Sequence, residues 1–252
     1  VEIVWFESEN VSSNHIVEDM SLQYVCGFLH DMIQSRNDFM QSLKNNSVET
    51  FSLVVCAFID FSFLKQIELV FYDNVIHEDH NFGLLLVLQC NNIFVLCRSL
   101  YYVRLRPDST TRFDPDNPHI VPHCKHIYKA FNNARMTKQY HIASSWFLML
   151  IQLIQFLKDH PSKDNKIIEQ LFFPYYIHYS LKLFDFKHDP LNLIPQLTII
   201  EPYLKRGFKW RHKLRITNPE KYNKLKPFFT CYDFIKSIEK GIRRVFKPHN
   251  KQ

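Results

Sequence analysis

The twelve residues WFLMLIQLIQFL at 146–157 restrict the fold of this chain more than any other segment. They are too apolar for a solvated helix, and they fall short of the roughly twenty residues that a bilayer span requires. Gln152 and Gln155 interrupt the run as well. The segment is therefore expected to be a helix buried in the core, in a chain that does not cross a membrane. Residues 120–159 and 164–184 repeat Leu, Ile, Phe and Tyr at helical spacing. Before about residue 115 the pattern is different. EIVWF at the start and NNIFVLCRSLYYVRLR at 91–106 are rich in strand formers. The reading is an α/β mixed sheet over 1–115 followed by an α-helical C-terminal region over 116–252.

Within the first part, EIVWF reads as a strand and residues 16–45 as a helix ending at the polar KNNS. A short helix is expected near 60–67 and a short strand near 68–72. HEDHNFGLLLVLQC reads as a helix whose acidic start suits the positive end of its dipole. PDSTTRFDPDNP is dense in turn formers. The chain opens directly on a core strand, so further sequence is expected to precede it.

The composition is that of a globular protein: 46% apolar, 15% aromatic and only four glycines. Its six cysteines form no C-x-x-C pair, and most stand in apolar runs. A reducing, cytoplasmic setting is expected. The net charge of +6 is uneven, because residues 201–252 hold 15 Lys/Arg against 4 Asp/Glu and the first 200 hold 16 against 21. The tail combines RGFKWRHKLR with a basic amphipathic helix expected at 232–247, whose Phe234, Ile235, Ile238, Ile242, Val245 and Phe246 share a side. Such a tail suits an anionic membrane surface. Basic residues among aromatics also suit single-stranded nucleic acid, but the sequence contains no recognised nucleic-acid module.

Residues 76–80, Ile-His-Glu-Asp-His, carry the densest chemistry. His77 and His80 are three apart, and Glu78 or Asp79 offers an oxygen ligand, with His119, His123 or His126 available to complete a metal site. The spacing departs from the H-E-x-x-H of zinc proteases. A capped, solvated helix start explains the same residues without any site.

The segment after the acidic pair adds a third reading. HED opens a helix, a hairpin-like β segment comes next, and Leu100-Tyr101-Tyr102-Val103-Arg104-Leu105-Arg106-Pro107-Asp108-Ser109-Thr110 closes the run. This order resembles the acceptor-side half of family-2 glycosyltransferases of bacterial lipopolysaccharide and capsule assembly, over roughly residues 1–112. The resemblance implies a partial GT-A-like mixed sheet and an inverting sugar transfer. It implies Asp79 as the base that deprotonates the acceptor hydroxyl, with Glu78 beside it. His77, His80, Arg104, Arg106 and Ser109 are implied as substrate-binding residues. Arg104 and Arg106 alternate on a strand and so share a face, and their guanidinium forks suit a diphosphate or an anionic acceptor.

The implied partners are a nucleotide sugar and a glycan or lipid-linked acceptor, at the inner face of the cell membrane. The implied cofactor is a divalent cation, Mg or Mn, held by a D-x-D motif in a nucleotide-binding half. That half has no counterpart here. Asp114-Pro115-Asp116 spells D-x-D but falls after the acceptor-side motif, so it is read as a chance match. The chain alone is expected not to hold the donor, and so to be inactive as a truncated form. The alternative is a non-enzymatic helical adaptor or nucleic-acid-binding protein, in which the acidic pair only caps a helix.

Overall fold

The computed structural model describes residues 1–12, 15–17, 21–105, 120–204 and 210–229. Its contacts divide the chain into two units, Val1–Gln196 and Leu197–Gln252. The division expected near 115 falls inside the first unit.

The first unit is built on β1 (Ile3–Ser12), which runs parallel to the thirteen-residue β5 (Asn92–Arg104). The register sets Ile3 against Ile93 and Trp5 against Val95. All four side chains are buried, as the two-residue period of strands requires for one core-facing side. The pairing shifts between Phe6 and Ser8, where the ladder bulges. β3 (Met32–Ser35) pairs antiparallel with the other edge of β5. Two short strands share the outer edge of β1. β2 (His15–Val17) pairs with its end, and β4 (Ala57–Ile59) pairs with its start. The result is a mixed five-stranded sheet.

Helices close over this sheet. α1 (Leu22–Val25) is a single turn, and α2 (Arg36–Asn45) buries Phe39, Met40 and Leu43. Trp5 meets Phe28, Phe39 and Phe51 at ring distances of 6.1, 5.7 and 6.5 Å. After α3 (Phe61–Gln66), α4 (Glu78–Gln89) is buried at every residue from Asn81 to Leu88. A helix apolar on all faces has no solvated side and must lie between layers. The second layer comprises α5 (Lys125–Phe131), α6 (Ala134–Asp159), α7 (Asn165–Leu171) and α8 (Phe173–Ser180). Asn81 Nδ2 donates to Gln152 Oε1 at 2.6 Å, so α6 is tied directly to α4. Phe51 meets Phe172 at 5.9 Å, and Arg36 Nε lies 3.0 Å from Asp164 Oδ2. The helical region thus packs on the sheet region rather than following it as a separate body.

Three sequence expectations are corrected. Residues 16–45 do not form one helix: β2, α1, β3 and α2 occupy them in turn. Gly27 takes φ +85 just after α1, and Ser35 caps α2 by accepting from Asp38 N at 3.2 Å. Residues 68–72 form no strand. Glu68 and Asn74 both adopt left-handed φ, which breaks an extended run, and the edge of β1 is filled by Ala57–Ile59 instead. The segment Asn92–Arg104 is one continuous strand, not a hairpin.

The expected core helix at 146–157 lies within the 26-residue α6. By length and composition α6 could cross a bilayer, but 67% of its most apolar stretch is buried inside the protein. The second unit contains α9 (Trp210–Thr217) and a further helix at 219–229. Asn218 Oδ1 accepts from Lys221 N at 2.9 Å at the start of the latter. Trp210 and Tyr222 both contact Phe229, at 5.3 and 5.5 Å. The D-x-D at 114–116 and the amphipathic segment 232–247 lie outside the described residues.

Candidate active site

α4 begins at an unusual backbone position. His77 is its N-cap, in the left-handed conformation at φ 67, ψ 28, and its side chain makes no capping bond. A non-glycine residue there is uncommon, though less so for His. This geometry turns the incoming loop sharply, so Glu78 and Asp79 enter the first helical turn. The loop is anchored behind the turn, where Ile76 N donates to Ser145 Oγ at 3.0 Å and the His141 ring Nε2 meets the Asn74 carbonyl at 3.1 Å.

The freed His77 ring instead lies nearly parallel to Trp146, with centroids 5.7 Å apart and planes at 22°. His80 approaches the same indole at 5.6 Å. Trp146 in turn meets Tyr175, Tyr176 and Tyr179 at 5.0, 4.8 and 5.6 Å. An aromatic wall thus backs the acidic pair. Tyr179 also lines a cleft of about 340 Å³ with Met136, Gln139, Ile142, Lys182, Asp185 and Phe186.

The segment Thr50–Ser52 bonds both Asp79 and His80. Ser52 Oγ donates to Asp79 Oδ2 at 2.5 Å, and Thr50 Oγ1 bonds the His80 Nδ1 at 2.7 Å. The Ser52 bond fixes the orientation of the Asp79 carboxylate through Oδ2. A carboxylate oriented through one oxygen can accept a proton from a bound hydroxyl at the other.

Burial lowers the pKa of both histidines. For His77 the charges of Asp79 and Glu78 oppose that shift and Lys138 adds to it. For His80, Asp79 and a bond to the Phe51 backbone oppose it, while His77 adds. Both rings are therefore mainly neutral at pH 7. Tyr176 is pushed far above the usual phenol range by burial, with Asp79 and Tyr175 contributing.

The structure thus brings together His77, Glu78, Asp79 and His80. Arg104 stands exposed at the far end of β5, paired in register with Val11. Arg106, Ser109 and His119 lie outside the described residues. His123 joins Cys124 and His141 rather than His77 and His80, and His126 is exposed. Thr50, Ser52, Trp146 and the Tyr175–Tyr179 group escape sequence reasoning. Their types are ordinary for a loop and a core helix, and they stand 27 or more positions from Asp79.

One atom each from His77, Asp79 and His80 lie within 4.8 Å of one another. Two imidazoles and one carboxylate differ from the oxygen-rich shell that Mg²⁺ takes. The cluster is therefore a poor fit for Mg²⁺, and it is not the D-x-D pair by which the glycosyltransferase resemblance implies that a cation is held. Comparisons with protein-family models, with curated proteins and with solved structures find no match.

Proposed function

We propose that this chain is the acceptor-side portion of an inverting, GT-A-like glycosyltransferase, in which Asp79 is the general base. The observation that supports this most is the Ser52–Asp79 bond at the start of α4, which orients the carboxylate through one oxygen. Asp79 would take the proton from an acceptor hydroxyl as that oxygen attacks the sugar's anomeric carbon. His77 and His80, mainly neutral and beside it, would hydrogen-bond the acceptor rather than repel a developing positive charge. Tyr175 and Tyr179, the half-buried members of the aromatic wall, would supply apolar surface on which a sugar face can rest, a use of aromatic rings consistent with their large flat area.

The donor would be a nucleotide sugar and the acceptor a surface glycan or lipid-linked saccharide. Peripheral docking at the inner membrane face would suit such an acceptor, and α9 carries Arg211, Lys213 and Arg215 beside the exposed Trp210. Saturation-transfer NMR with a lipopolysaccharide-core oligosaccharide tests the binding half of this reading. Transfer of saturation to the sugar is expected in both the wild type and Asp79→Asn. Salt-dependent retention of single-stranded nucleic acid with no sugar signal would point to the non-enzymatic alternative.

A further inference from the structure

A second cluster lies on α6, outside the acidic site. His123 and Cys124 come from the 3-10 turn Pro122–Cys124, and His141 comes from the first half of α6. One ligand atom from each falls within 4.8 Å of the others. Cys124 and His141 are 2% and 7% exposed, and the His123 and His141 ring centroids are 5.1 Å apart.

Two details distinguish this group from ordinary core packing. The buried Nε2 of His123 has no hydrogen-bond partner among the described residues, a loss that costs about 1–3 kcal/mol for a polar atom. The Nε2 of His141 faces the Asn74 carbonyl. A carbonyl can only accept, so Nε2 carries the proton and Nδ1 keeps its lone pair. A histidine that donates its other N–H to a backbone carbonyl is the usual arrangement around a bound metal, because it fixes both tautomer and ring.

We propose that His123, Cys124 and His141 bind Zn²⁺ or a cation of similar softness. Two imidazoles and a thiolate are a donor set for zinc rather than for Mg²⁺ or Ca²⁺. Tetrahedral zinc with ligand bonds of about 2.0–2.3 Å places neighbouring donors about 3.5 Å apart, so binding would draw together atoms that already lie within 4.8 Å of one another. The fourth position is left to water. Burial pushes the Cys124 thiol up to about 11, so metal binding releases its proton. The ion would pin the 122–124 turn to the part of α6 that already holds Asn74 and Ile76, and so would stiffen the loop that delivers His77 and Asp79.

Titration of the chelator-stripped 252-residue chain with Co²⁺ tests this. A near-ultraviolet thiolate-to-cobalt charge-transfer band should grow to saturation at one equivalent, and Zn²⁺ should abolish it. Cys124→Ser should remove the band, and His123→Gln should weaken binding by roughly tenfold or more. His80→Gln should leave the band unchanged, which separates this cluster from the one at Asp79. If Cys124→Ser does not fold, His123→Gln decides. Absence of a thiolate band in the wild type overturns the proposal, as does a band that survives Cys124→Ser or binding that His123→Gln leaves unaltered.

Discussion

Ser52 Oγ donates to Asp79 Oδ2 across 2.5 Å, linking a loop before β4 to the first turn of α4. A hydrogen bond to a charged group contributes about 1.5–3 kcal/mol. Under the proposed role of Asp79, Ser52→Ala in the chain expressed together with the donor-binding half should therefore slow sugar transfer by about tenfold or more with little change in KM, because the bond positions Asp79 without touching substrate. Steady-state kinetics with Ser52→Ala and Ser52→Thr check this, with Thr retaining most of the rate.

Trp146 is the hub of the aromatic wall and is 2% exposed. Trp146→Ala should cost about 3–5 kcal/mol through the cavity it leaves, read as a lower urea midpoint. Trp146→Phe keeps an apolar ring and should cost much less. A Trp146→Ala midpoint equal to wild type would show that the indole is not packed as described.

Much of this site can be read in the sequence, and the reasons for the rest are physical. The helix at 78–89 is legible because acidic residues precede an apolar run. The strand at 92–104 is legible because strand formers fill it. The 16–45 region is not. Its period is weak, and Gly27 and the Ser35 cap outweigh helix propensity only once β5 supplies a partner for β3. Ser52 and Thr50 carry no signal in the sequence, since only folding brings a loop hydroxyl to a carboxylate 27 positions away. His123 is legible as a candidate ligand but its grouping is not, because that depends on where α6 presents His141.

Acid should destabilise the fold through His80. Burial is the main cause that puts its folded pKa below the ordinary 6.5, so the unfolded chain binds a proton that the folded chain resists. Linkage then fixes the direction of the effect. The contribution is fully present above pH 6.5 and is lost as pH falls below 6.5 toward the folded value. Urea midpoints in EDTA should therefore drop between about pH 7.5 and 5.5, and His80→Gln should drop less. An equal drop in both proteins would exclude His80 as a cause.

Burial also pushes Cys26 and Cys90 up to about 12, so neither thiolate nor access is available to an alkylating agent. Cys97 is the only half-exposed thiol among the described cysteines. Iodoacetamide at about pH 8 followed by peptide mass mapping should modify Cys97 ahead of Cys26 and Cys90, which should react only after unfolding. Equal native rates would contradict the burial of α1's end and of α4's C-terminus.

The most direct test of Asp79 as the base is sugar transfer by Asp79→Asn, in the chain expressed together with the donor-binding half that the resemblance implies. Removal of a general base is expected to lower kcat by about a hundred- to ten-thousandfold, with the urea midpoint and oligosaccharide binding retained. Turnover equal to wild type would contradict the assignment of Asp79.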